Sequence, residues 1–397
     1  MGSRRIQRFL KSGEIAPASS STVWRTRYRS VLSSWLLPGL ALAVTAAGVP
    51  AAGTAGVDEQ VRLTLDLQPG QLNQEDYDRL HYLHCRPGSI DDLAGIEPAR
   101  ELVNLKARRN GLADLGPLSG LTALRELDLA DNFIRDIEPL RQLTSLQVLD
   151  LAGNEVAGLK PLAGLVRLRQ LRLNGNQIVD LAPLASLTGL RSLNLAGNQI
   201  EELVALAYLG RLQKLRLGDN RIVSIEALRP LNELESLDAS GNLIADLSPL
   251  SHMEQLESLI MVDNRITSLE PLSGLPHLHL LRLAANRIED LEPLGSLPAL
   301  VELRLPENRI RRIDALARLP DLRVLELGYN QIRSLNALIG LDSLEVVQIP
   351  GNRVVDLSPL LQLANLRAVD CWDNPLGPLA VDEQIPVLEK RGVVVNR

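Results

Sequence analysis

His81, Tyr82, His84 and Cys85 are the densest group of side chains in the sequence that could ligate a metal or carry a proton. Imidazole and thiolate hold zinc when four such groups converge on a tetrahedron. Their spacing works against convergence, because alternate side chains of an extended segment leave opposite faces. Tyr82 and His84 would share the open face, Cys85 would point inward, and His81 would lie on the turn before them. His277 and His279 straddle another turn and read as surface. The sequence contains no Gly-rich phosphate loop, no His-Glu-x-x-His, no Gly-x-Ser-x-Gly and no Cys-x-x-Cys. No catalytic residue, metal ligand or cofactor site is assigned, and an enzyme is not expected.

The element that positions these residues is a unit of 22. Asn stands at 110, 132, 154, 176, 198, 220, 242, 264, 286, 308, 330, 352 and 374 without an insertion or deletion. Leu or a close substitute fills the places eight, five and three residues earlier, as Leu124, Leu127 and Leu129 precede Asn132. Apolar residues then recur every three, as in Ile134, Ile137, Leu140, Leu143 and Leu146. Extended backward, the frame reaches Leu80, with Gly88 in place of its Asn, and gives about 14 units. Leu-x-Leu has period two and predicts a short strand with one buried face. The step of three matches a 3-10 coil rather than an α-helix. Pro117, Pro139, Pro161, Pro183, Pro249, Pro271, Pro293 and Pro359 stand seven after an Asn. A fixed φ and a missing N–H suit the opening of such a turn.

One unit cannot bury its leucines alone; stacked units can. Each buried aliphatic side chain contributes about 1.5–3 kcal/mol. Each Asn amide is expected to satisfy backbone groups of its own bend and of the next. The predicted fold class is an α/β solenoid with a parallel β-sheet along one side and 3-10 turns and loops along the other.

The pattern Leu-x-x-Leu-x-Leu-x-x-Asn-x-Ile-x-x-Leu-x-Pro-Leu-x-x-Leu resembles the leucine-rich repeats. Its 22-residue form, with Asp-Leu-Ser-Pro-Leu at 246–250 and Ser-Leu-Glu-Pro-Leu at 268–272, is similar to the bacterial internalins over about 80–397. The resemblance implies a horseshoe with a concave sheet, on a surface-exposed bacterial protein that binds partners through that sheet. At about 4.8 Å per strand the sheet would run on the order of 60–65 Å. The repeats are assigned to 80–374, an N-terminal cap to 58–79 and a C-terminal cap to 375–397. Within the caps, Val61, Leu63, Leu65 and Leu67 alternate like a strand, and Asn73 opens a short helix. Asp382 to Arg391 reads as a helix, followed by a strand at Val393–Val395. Cys85 and Cys371 are thirteen units apart in one strand position, roughly 60 Å and too far for a disulfide.

Residues 1–57 read as an address. Seven bases against Glu14 give them +6, which leaves −12 for the rest of a chain of net charge −6. No charged residue falls between Ser30 and Val57, and Trp35 to Val49 is the length of a signal-peptide apolar region. The expectation is a cleaved export signal or an uncleaved anchor, hence an extracytoplasmic protein that touches membrane only through 31–57. An acidic body excludes nucleic acid as a partner, since phosphate binding requires a basic face.

Residues four before each Asn face outward, and that column holds five bases and five acids while the buried columns barely change. The last third differs. Ile260, Val262, Leu280, Val324 and Val346 are apolar at outward places, with Tyr329 and Trp372 near the edge and Arg282, Arg304 and Glu326 around them. Such a group is expected to be a partner-binding patch with a polar rim. The function expected is a monomeric protein-recognition module. A structural scaffold of the envelope and a small-ligand or glycan receptor are the alternatives, the last opposed by aromatics at only 3%.

Overall fold

Every unit folds as its two periods dictate. The computed structural model describes residues 56–397, so the stretch read as an export signal or anchor lies outside the described residues except for Gly56 and Val57. Fifteen strands form one sheet in sequence order. They are β1 (Tyr82–His84), β2 (Asn104–Lys106), β3 (Glu126–Asp128), β4 (Val148–Asp150), β5 (Gln170–Arg172), β6 (Ser192–Asn194) and β7 (Lys214–Arg216). There follow β8 (Ser236–Asp238), β9 (Ser258–Ile260), β10 (Leu280–Arg282), β11 (Glu302–Arg304) and β12 (Val324–Glu326). The last are β13 (Val346–Gln348), β14 (Ala368–Asp370) and β15 (Val394–Asn396). From β1 to β14 pairing is parallel and in a register of 22, so Leu325 lies between Leu303 and Val347.

Between strands run short 3-10 turns, and each of the eight prolines is the second residue of one, as Pro117 is in Gly116–Leu118. From Asn110 to Asn352 the places eight, five and three before each Asn, and two, five, eight and eleven after it, are all buried. These columns form one continuous core. The turns carry a further cap. Where the residue four after the Asn is Asp or Ser, it accepts the N–H two places on, as Asp136 does from Glu138 at 2.8 Å and Asp246 from Ser248 at 2.8 Å. That bond and the Ser248 hydroxyl hold the Asp246 carboxyl below the usual carboxylate range.

The Asn ladder runs backward, not forward. Asn198 Oδ1 accepts the Ile178 N–H at 3.0 Å, and its Nδ2 donates to Leu173 O at 3.0 Å in the preceding unit and to Leu195 O at 2.9 Å in its own. Its own Ile200 N–H is taken by Asn220, so each rung is closed by the unit that follows it. The residue immediately before each Asn is left-handed in all thirteen units, from Arg109 to Asp373. Glycine fills five of these places; the other eight bear a side chain in a conformation that costs roughly 1–2 kcal/mol.

At the N-terminus the expected strand over 61–67 is a helix instead, α1 (Val57–Leu65), ended by left-handed Asp66. Val57, Gln60 and Val61 share its buried side, a helical spacing that wins over the local alternation. The second helix, α2 (Gln74–Asp78), begins at Asn73 in a reciprocal capping box with Asp76. Tyr77 donates to Asp58 at 2.9 Å and ties the two helices together. At the other end a π-helical turn, Ala380–Gln384, leads into α3 (Ile385–Lys390) and then β15, whose Val394 N–H bonds to Arg367 O.

Candidate functional site

Two outward residues per strand make the open face of the sheet, and its chemistry changes along the sheet. In β12–β14, Val324, Val346 and Ala368 stand side by side in register and half-buried. Just past these strands, Tyr329 and Trp372 meet edge to face, with ring centroids 5.9 Å apart and planes at 77°. Gly351 makes the contact possible, because a Cβ there would stand 2.6 Å from Tyr329 Cδ1. Tyr329 is itself left-handed, so the backbone holds its ring across the next unit. Tyr329 remains 37% exposed and Trp372 half-buried. An aromatic pair beside an aliphatic strip is the kind of surface that anchors a protein partner.

The charged residues expected to rim this patch pair with one another. Arg282 bonds to Glu302 at 2.7 Å, Glu302 to Arg304 at 2.6 Å, and Arg304 to Glu326 at 2.5 Å. Burial, foremost, raises the Glu326 carboxyl above its ordinary range, with Arg304 pulling it down and Glu302 pushing it up. Glu345 similarly takes both Arg323 and Arg367.

This ladder corrects two expectations. Glu326 is buried within the sheet face rather than exposed on a rim. Leu280 is also buried, because Glu302, its partner in register, is held by Arg282 on the same face. The apolar residues therefore do not form one patch. Ile260 and Val262 lie half-buried at β9, and the ladder of β10–β12 separates them from Val324, Val346, Tyr329 and Trp372.

Strands β5–β8 show the opposite balance. Lys214 and Arg216 of β7, and Arg191 just before β6, are exposed and have no ion pair among the described residues. Arg169 lies against Gly189, where a Cβ would come within 1.9 Å of Nη1. Arg216 stands in the outward column four before an Asn; Arg169, Arg191, Lys214 and Glu302 did not figure in the sequence reading. The diagonal of Glu302 between Arg282 and Arg304 is the signal that could have found the ladder.

The histidines and cysteines stay apart as their alternation requires. Tyr82 and His84 are exposed either side of inward Leu83, and His81 is exposed on the turn. Cys85 and Cys371 are buried free thiols, pushed up to about 12 by burial. Among the described residues no cluster of His, Cys, Asp and Glu could hold a metal ion. None of their helices is long and apolar enough to cross a membrane. The arrangement offers contact surface and charge.

A parallel sheet of 22-residue units with an Asn ladder and 3-10 turns defines a repeat protein of recognisable class. Models of leucine-rich repeats match it over 100–208, 211–252, 254–296 and 298–354, more than half of its length. The chain belongs to the leucine-rich repeat family. Its repeats are of internalin-like form: they resemble the crystal structure of internalin InlF from Listeria monocytogenes at 29% identity, over 81% of this chain and 98% of that one, with a TM-score of 0.77. A leucine-rich repeat protein of Leptospira interrogans shares the fold at 20% identity, over 83% and 100% of the two chains, with a TM-score of 0.62. So does the plant peptide hormone receptor RGFR1 in complex with RGF2, at 22% identity over 70% and 48%, TM-score 0.62. No curated protein matches the chain.

Proposed function

We propose that the chain is an exported, monomeric, non-enzymatic recognition module that binds a protein partner on the concave face of its sheet, at the β12–β14 end. The observation that carries this reading is the Tyr329–Trp372 pair beside Val324 and Val346. The arginines and glutamates beside it, from Arg282 to Glu326 and around Glu345, are already paired with one another, so what this region offers a partner is chiefly apolar and aromatic area. Orientation would come from the unpaired cations of β5–β7, since charge complementarity steers docking more than it adds affinity. The plant receptor of the same fold is solved with the peptide hormone RGF2, which fits a face that holds polypeptide. Export rests on the basic stretch and uncharged apolar segment within 1–57.

The test is crosslinking to the native envelope fraction with Val324→Asp combined with Val346→Asp. Both side chains are half-buried and face outward, so the double variant is expected to lose the crosslinked partner while its melting temperature changes little. Lower stability with an undiminished crosslink would refute the reading.

A further inference from the structure

Beside the aromatic pair the molecule has a second feature of a different chemistry. Past the strands, on the flank where each unit turns back, a hollow of about 630 Å³ has in its lining Arg311, Arg312, Arg333, Arg353, Gln331 and one acid, Asp314. Of its four guanidinium groups only Arg312 has an acid, Asp314 at 2.9 Å. Arg311 bonds to the neutral amide of Gln331 at 3.2 Å, and Arg333 and Arg353 are exposed without an ion pair among the described residues. The concentration is local. In the place directly after the Asn, the units from Asn110 to Asn198 carry Gly111, Phe133, Glu155, Gln177 and Gln199, with no cation. Arg221 follows Asn220, and the units from Asn264 to Asn352 carry Arg265, Arg287, Arg309, Gln331 and Arg353, of which Arg309 has Glu289 at 3.8 Å. In a body of net charge −12, unpaired arginines gathered at one end of one flank are a directional feature, not a solvating coat.

The hollow and the aromatic pair share a corner. Gln331 is two residues beyond Tyr329, and Arg353 is two beyond Gly351, the glycine over which the Tyr329 ring lies. Resting on the proposed function above, we infer that the partner presents an acidic polypeptide segment, which leaves the apolar strip at Tyr329 and Trp372 and enters the arginine hollow. Guanidinium forks match carboxylates bidentately. Arg311 and Arg333 stand one unit apart and Arg353 one unit beyond Gln331, so the long, flexible guanidinium arms of three successive units reach into one hollow that a segment with several carboxylates can cross. The same corner thus supplies an apolar anchor and an acid-selecting rim, and together they define the partner's chemistry as aromatic or aliphatic followed by a run of acids.

Fluorescence anisotropy with the full chain tests this. The probes are a fluorescein-labelled Trp-Leu-(Glu)8 peptide, its Trp-Leu-(Lys)8 counterpart and linear polyphosphate. The acidic peptide is expected to bind, to weaken as salt rises, and to lose at least tenfold in affinity in Arg333→Glu with Arg353→Glu. The lysine peptide is expected not to bind. Both substituted residues are exposed and unpaired, so melting should be unchanged, and circular dichroism checks it. Absent binding of the acidic peptide, equal binding to the double variant, or tighter binding of polyphosphate than of the peptide overturns the inference. Its failure is distinguishable from that of the proposed function: a native partner lost on Val324→Asp with Val346→Asp but retained by Arg333→Glu with Arg353→Glu removes the acidic segment alone.

Discussion

Strands β5–β8 and β10–β14 share one backbone, one set of leucine columns and one Asn ladder, yet they offer a partner different things. In the centre, Arg191, Lys214 and Arg216 point outward without acids. Toward the C-terminal end, Arg282, Glu302, Arg304 and Glu326 bind each other, and the uncommitted surface is Val324, Val346, Tyr329 and Trp372. The difference teaches that the inside of the repeat fixes the fold and leaves the outside free. A column that faces solvent can be cationic in one stretch and self-paired in the next, because no buried contact depends on it.

If the inside is the same in both regions, equivalent changes there must cost the same. Asn198→Ala in the centre and Asn330→Ala near the end each remove one acceptor and several donations to backbone carbonyls. Both are expected to lose about 1–3 kcal/mol in urea denaturation. Losses that differ by more than about 1 kcal/mol would break the comparison at its base.

Outside, equivalent changes must differ. Glu302→Ala strands the partly buried guanidinium of Arg282, leaves Arg304 with Glu326 alone, and should cost about 1–2 kcal/mol, measured the same way. Lys214→Ala with Arg216→Ala removes exposed, unpaired charges and should stay within about 0.5 kcal/mol. Equal effects in the two regions would mean that the ladder is only a surface ion pair.

The columns that bury leucine and the prolines opening the turns could be read from spacing, because a strict 22-residue period repeats the evidence in each unit, and the helix after Asn73 from its N-cap residue and the acids of its first turn. The helix at Val57–Leu65 could not: it occurs once, and its local alternation competes with the i, i+4 contact of Val57 and Val61. The candidate site was half legible. Val324, Val346, Tyr329 and Trp372 stand where outward places predict. Burial of Leu280 and Glu326 depends on which neighbour each arginine selects, and that choice is diagonal between strands rather than along the period. The left-handed residue before each Asn was hidden as well, since eight of the thirteen are not glycine.

Hydrogen exchange along the sheet, with and without the crosslinked partner, tests most directly where recognition happens. Slowed exchange at 324–329, 346–353 and 368–373, extending no further than the adjoining arginine hollow at 311–314 and 331–334, is the expected result. Protection centred on β2–β5, or on the turns opposite the sheet, would contradict the account.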